Sequence, residues 1–291
     1  FGIYLLYDGS GVPRLLALSN SASNIVQMYV SLTGLSGSWS TTATGVTATS
    51  HVIGYPVVYH GALYVKSGDT NAMWSIFNPS SLTSSDTNSI SGVGSADYPH
   101  YLVVWDDVLY SVSYSNAVNN LTLYSIVGGT VTAVKTIVLS VTFVNAIAWV
   151  DPSTNNLVVV AYGGTTWQAY EMTSPTATPT NRTATMLTGG ALAGFASTSK
   201  FAGVIYDQEA APGSAPSINV LVAGAGTSGT PVAMFKYNGV SALLGTGAGA
   251  ANDSGGDIAF AWPDKNIGGD RFYSPRSVAS DGTPEVWNTG K

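Results

Sequence analysis

One short pattern recurs along the whole chain: an apolar strand ending on an aromatic, an acidic or glycine-rich turn, then a second apolar strand. Its clearest copy is Val103-Val104-Trp105-Asp106-Asp107-Val108-Leu109-Tyr110. The aromatics that close the first strand are Tyr7, Tyr59, Trp105, Trp149, Tyr206 and Trp262, spaced 52, 46, 44, 57 and 56 residues apart. A third strand follows each pair and carries an aromatic of its own: Tyr29, Trp74, Tyr124, Tyr170, Phe235 and Trp287. The order of events is the same in all six copies.

Self-similarity at roughly 40–50 residues, with several strands per unit, is the signature of a β-propeller. A small antiparallel sheet cannot cover both of its faces, whereas sheets packed face to face around a ring cover one another. The expected fold is therefore all-β: a six-bladed β-propeller of antiparallel four-stranded blades. It is read as a single domain over 1–291, with blades at approximately 1–50, 51–94, 95–141, 142–190, 191–250 and 251–291. An irregular β-sandwich with evenly spaced turns is the alternative.

Within that frame, Asp8-Gly9, His60-Gly61 and Gly128-Gly129 are hairpin turns, because these residues tolerate the positive φ that tight hairpins require. Ser36–Ser50 and Ser80–Gly94 are polar tracts with room for a ragged outer strand. Ser174–Thr180 carries two prolines and reads as loop. Gly245–Ala251 reads as a connector. The sixth blade ends early, since little chain follows Trp287. The chain opens on Phe1 with no visible signal peptide. A fragment of a longer protein, or one whose leader has been removed, is the expectation.

Composition narrows the chemistry. Charged residues make up 9% of the 291, against about 25% in ordinary soluble proteins. The net charge of −6, with ten scattered basic residues, argues against nucleic acid as a partner. No apolar run approaches the roughly 20 residues of a spanning helix, so no membrane insertion is expected. There is no cysteine, which removes disulfides, thiolate nucleophiles and Cys-bound metals. Surfaces rich in Ser, Thr and Asn suit an extracellular or virion-surface protein.

Several residue sets have a chemical and a plain reading. The acids after the anchor aromatics (Asp8, Asp106, Asp151, Asp207, Asp264) form a repeated ligand set or, more simply, turn residues that bond nearby N–H groups. Asp264–Asp270, with Asn252, Asp253 and Asp257 nearby, alternates oxygen donors with glycines, but no Glu closes a calcium loop. His51, His60 and His100 lack converging metal spacing. No metal and no cofactor is expected. Asn120, Asn181 and Asn252 stand in Asn-x-Ser/Thr sequons, about as many as chance supplies. The only glutamates are Glu171, Glu209 and Glu285, and the only arginines are Arg14, Arg182, Arg271 and Arg276. Arg271, Arg276, Glu285 and Asp270 form the one charged constellation in sequence. No catalytic residue is assigned.

The strand order in Ala146–Trp149, Asn156–Val160 and Thr166–Tyr170 resembles the blades of six-bladed fucose-binding lectins. Ile258–Trp262, Asp270–Tyr273 and Pro284–Trp287 are closer still. The resemblance implies sites between blades, where an Arg on the second strand and a Glu on the third bind sugar hydroxyls and an aromatic stacks on the ring. Matched residue by residue, Arg271, Glu285 and Trp287 would be the ligand-binding set. The other second strands offer Leu15, Leu63, Leu109, Leu157 and Val220, which cannot donate to a sugar.

The functional expectation is a non-enzymatic interaction module that binds a glycan or a partner protein surface. The alternatives are a purely structural subunit of a larger assembly, and a glycoside hydrolase centred on Arg271, Arg276 and Glu285.

Overall fold

The computed structural model describes residues 3–20, 25–40, 46–47, 57–66, 73–76, 87–90, 101–115, 119–140, 145–151, 153–163, 166–183, 200–207, 217–223, 232–237, 241–247, 262–263, 272–275 and 286–288. The chain divides into two compact units, Phe1–Ser140 and Val141–Lys291.

The first unit holds three antiparallel meanders. Sheet one is β1 (Ile3–Tyr7), β2 (Pro13–Asn20), β3 (Ile25–Ser31) and β4 (Val46–Thr47). Sheet two is β5 (Val57–Tyr59), β6 (Ala62–Lys66), β7 (Met73–Ile76) and β8 (Thr87–Ile90). Sheet three is β9 (Tyr101–Trp105), β10 (Val108–Ser115), β11 (Asn120–Val127) and β12 (Thr130–Val138).

The second unit repeats the plan. Sheet four is β13 (Asn145–Val150), β14 (Leu157–Gly163), β15 (Thr166–Met172) and β16 (Thr180–Asn181). Sheet five is β17 (Lys200–Asp207), β18 (Ser217–Ala223), β19 (Val232–Tyr237) and β20 (Ser241–Gly247). Sheet six has three described strands, β21 (Trp262–Pro263), β22 (Phe272–Pro275) and β23 (Val286–Asn288). Every anchor aromatic falls in the first strand of its sheet, and every third-strand aromatic falls in the third. One expectation needs adjusting. β20 runs through Gly247, so Gly245–Gly247 extends a strand that the Gly/Ala composition had suggested was a connector.

Turn chemistry sets the register. Trp105 pairs with Val108 across Asp106-Asp107, whose φ values are 49° and 57°. Tyr59 pairs with Ala62 across His60-Gly61, at 46° and 77°. Val127 pairs with Thr130 across Gly128-Gly129, at 56° and 79°. Positive φ at both central residues is the two-residue hairpin geometry that matches strand twist. Asp and His tolerate it where β-branched residues do not.

The longer turns use side chains instead. Asp8 Oδ1 accepts the N–H groups of Ser10 and Val12 at 2.9 and 3.0 Å, and Arg14 reaches Asp8 Oδ2 at 2.8 Å. Asp151 Oδ1 accepts the Ser153 N–H at 2.8 Å and its hydroxyl at 2.6 Å. Three of the five acids after the anchor aromatics are thus turn formers. Asp207 ends β17, and Asp264 lies outside the described residues.

Sheets three and four are buried on both faces. In sheet three, Leu102, Leu109 and Ile126 form one cluster, against which Val57, Tyr59 and Tyr64 of sheet two pack. The opposite face carries Trp105, Val112 and Leu123, all buried. In sheet four, Leu157, Val158, Val159, Val160 and Ala161 are each at most 1% exposed, so this run of β14 is dry on both faces. Each such Leu or Val stabilises the fold by about 1.5–3 kcal/mol.

The outer strands differ in length. β4 and β16 have two residues each and β8 has four, while β12 has nine. The β11–β12 ladder slips by one residue between Leu123, opposite Lys135, and Tyr124, opposite Ala133. Val134 is therefore an inserted bulge residue.

Candidate functional site

Of the residues read from the sequence as ligand-binding, Arg271 and Glu285 lie outside the described residues, as does Arg276. Trp287 is in β23, opposite Ser274 of β22. His51, His100, Asn252, Asp253, Asp257 and the Asp264–Asp270 loop also lie outside them. Among the described residues, no group of three His, Cys, Asp or Glu could hold a metal ion. No helix there is long and apolar enough to cross a membrane.

A polar cluster that does lie within the described residues sits at one end of sheet four. Register places it. Val158 of β14 faces Glu171 of β15, and Glu171 faces Thr180 of β16. Side chains two residues apart share a face of a strand. Asn156, two before Val158, and Arg182, two after Thr180, therefore join Glu171 on one face.

The contacts follow. Asn156 Nδ2 donates to Glu171 Oε1 at 2.7 Å, and Arg182 Nε lies 3.3 Å from Glu171 Oε2. The Glu171 side chain keeps 16% of its surface exposed and Arg182 34%. Val158, Val160 and Ala169 form the dry floor of the same face.

Local bonds hold Arg182 in place although β16 has ended. The Arg182 N–H donates to the Ala169 carbonyl at 2.7 Å, and the Ala169 N–H donates to Thr183 Oγ1 at 3.0 Å. Asn181 Oδ1 accepts the Thr183 N–H at 3.0 Å. Both main-chain groups of Ala169 thus pin the segment that presents the guanidinium. The sequon at Asn181–Thr183 is part of this clamp.

Chemically, the cluster offers a carboxylate with lone pairs to spare, a planar guanidinium and an amide. Such a set directs several hydrogen bonds at once toward neighbouring hydroxyls. On the opposite face the Tyr170 hydroxyl donates to Gln168 Oε1 at 3.2 Å, and burial pushes the Tyr170 phenol above its ordinary pKa.

In the sequence Glu171 and Arg182 stand as separate charges, eleven residues apart. The signal that would have joined them is the acid directly after the third-strand aromatic Tyr170, with an arginine on the returning chain.

A second polar locus joins sheets two and three. The Tyr59 hydroxyl donates to the Asp107 carbonyl at 2.6 Å, and His60 Nε2 lies 2.9 Å from Asp107 Oδ1. The Tyr59 and His60 rings stack at 4.0 Å. Farther along sheet three, Ser111 and Ser113 bond to one another at 3.1 Å, fully buried. Burial raises the Tyr64 and Tyr110 phenols, with the Tyr59 hydroxyl and the Asp106 carboxylate respectively adding to the shift. This locus ties one hairpin turn to the next. The acid and the imidazole are both largely exposed, at 81% and 61%.

No protein-family model matches the chain. No curated protein sequence matches it either. Solved structures do. The fold is similar to that of the six-bladed propeller lectin of Aleuria aurantia, described by a fucose recognition mode, at 12% identity and TM-score 0.55. That match covers 98% of this chain and 91% of the lectin. The SapL1 lectin, solved with α-methyl fucoside, matches at 12% identity and TM-score 0.54, covering 99% and 93%. An exo-β-1,3-galactanase from Phanerochaete chrysosporium matches at 12% identity and TM-score 0.52, covering 98% of this chain and 73% of the enzyme. The class is thereby defined: the chain has the fold of a six-bladed β-propeller, and it resembles the fucose lectins in fold at low sequence identity.

Proposed function

We propose that the chain is a non-enzymatic, glycan-binding propeller carried on an extracellular or virion surface. The observation behind this reading is the Asn156–Glu171–Arg182 cluster: a carboxylate, a guanidinium and an amide on one sheet face, in a chain where charge is scarce. Sugars are bound by such directed donors and acceptors beside an apolar floor. Two proteins of similar fold are described as lectins, which supports the reading at the level of architecture. Arg271, Glu285 and Trp287 are proposed as a further site of the same kind in sheet six.

A glycan array tests this. Binding is expected, and it should fall at least tenfold in Arg182→Ala, with a thermal melt confirming that the variant still folds. An array without binders, or binding untouched by both Arg182→Ala and Trp287→Ala, overturns the proposal.

Two other readings each have an observation behind them. Leu5, Tyr7 and Leu35 are 52%, 59% and 69% exposed, which favours a structural subunit packed against neighbours. A chain that stays monomeric at high concentration by light scattering removes that reading. The similar fold of a galactanase keeps a hydrolase centred on Glu285 in view. Turnover of β-galactan fragments that survives Glu285→Gln, or no turnover at all, removes it.

A further inference from the structure

We infer that Glu171 sets the ligand class of the sheet-four site, confining it to neutral sugars and excluding acidic ones. The inference rests on the glycan-binding reading and goes a step beyond it. Arg182 alone would be a natural seat for the carboxylate of a uronic or sialic acid, because a guanidinium pairs with carboxylates through its planar fork of donors.

In this chain the Nε corner of that guanidinium already faces an internal carboxylate. Glu171 Oε2 lies 3.3 Å from Arg182 Nε, and only 16% of the Glu171 side chain is exposed. Asn156 fixes the other carboxylate oxygen at 2.7 Å. The acid therefore cannot swing away without losing the amide bond as well. A ligand approaching Arg182 meets a neutralised pair whose negative member is held in place. An incoming carboxylate would face Glu171 at close range, and like charges in a half-buried setting repel strongly. A hydroxyl pair meets no such penalty. It donates to a carboxylate lone pair and accepts from the guanidinium without displacing either.

The net charge of −6 acts in the same direction at longer range. Among the described residues of sheet four, the charged groups on this face are Glu171 and Arg182. Asp151, on the turn before Asn156, is buried and turned onto Ser153.

Removing the negative charge should thus do more than weaken binding: it should switch preference. The test is an array of neutral and acidic glycans probed with the parent chain, Glu171→Gln and Arg182→Ala, with thermal melts to confirm folding. The parent should bind neutral glycans at least tenfold better than acidic ones. Glu171→Gln should lose at least tenfold on the neutral arm and gain at least fivefold on the acidic arm. Arg182→Ala should bind neither.

If the parent binds acidic glycans through Arg182, the inference fails and the glycan reading stands. If Glu171→Gln weakens both arms equally, Glu171 is only structural and the inference also fails. If the parent binds on neither arm, both fall together. Should Glu171→Gln not fold, Asn156→Ala, which frees Glu171 to move, should narrow the parent's preference for neutral over acidic glycans; an unchanged preference counts against the inference.

Discussion

Sheets three and four are built on nearly the same frame, and their inner polar positions hold different chemistry. Each has a fully buried tryptophan near the end of its first strand, Trp105 and Trp149, and a second strand with a buried run, 109–113 and 157–161. In sheet three the described polar side chains on one face of β10 are hydroxyls, Ser111 and Ser113, which bond to one another at 3.1 Å. In sheet four they are an acid, a base and an amide gathered at one end. Hydroxyl pairs can be sealed inside at little cost. Charges cannot, so they sit where the sheet frays into turns and water reaches them. The difference teaches that the repeated frame fixes where a side chain points, while the end of each sheet decides whether it can act.

The comparison can be broken most severely through the shared tryptophans. Trp105→Ala and Trp149→Ala should each cost about 3–5 kcal/mol, the usual range for a buried aromatic. Chemical denaturation of both variants should show similar losses if the frames are equivalent. A loss in one at least twice that in the other would mean that the two sheets do not carry equal structural weight.

A smaller effect sharpens the chemical half. Ser111→Ala should cost about 1–3 kcal/mol, because it removes one hydrogen bond of the fully buried Ser113 hydroxyl. Replacing both by Ala should cost less than twice that, and a double-mutant cycle measures the coupling. Strict additivity would show that the pair does not act as a unit.

An acid titration probes a turn outside both sheets. The Val12 N–H, opposed in part by burial and aided by Arg14 and the Ser10 N–H, holds the Asp8 carboxyl below the ordinary range. A depressed folded-state pKa contributes stability that is present above the unfolded value and is lost as pH falls through the folded one. Melting temperature should therefore decline below about pH 4, and Asp8→Asn should flatten that decline. A profile identical to the parent's would show that Asp8 does not carry the dependence.

The smallest effect belongs to the exposed His60–Asp107 pair. A double-mutant cycle there should return no more than about 1 kcal/mol, as for other solvent-facing pairs. A larger coupling would make the locus between sheets two and three a stronger structural joint than its exposure implies.

The frame was legible in the sequence because burial on both faces demands apolar residues at strand spacing, and paired positive-φ turns demand Asp, Asn, His or Gly. Asp106-Asp107 and Gly128-Gly129 announce their hairpins without help. The site was less legible for a geometric reason. Asn156, Glu171 and Arg182 come from three successive passes of the chain. Arg182 follows a strand of only two residues, just past the stretch Ser174–Thr180 whose prolines predict loop. No spacing rule links them; only register does. The expected set Arg271, Glu285 and Trp287 rests on likeness to another family's blades, which favours residues close to one another in sequence.

The bulge at Val134 has a practical side. Among the described strands β12 ends its sheet, and a nine-residue rim rich in Thr, Val and Ile ordinarily risks pairing with its own kind and growing into fibres. The extra residue bends that rim, and Lys135 beside it adds a charge that a flat neighbouring strand would have to bury. Deleting Val134 should straighten that rim and Lys135→Val should remove the charge, and either variant should aggregate faster than the parent by light scattering. Anyone producing this protein in quantity should leave both alone.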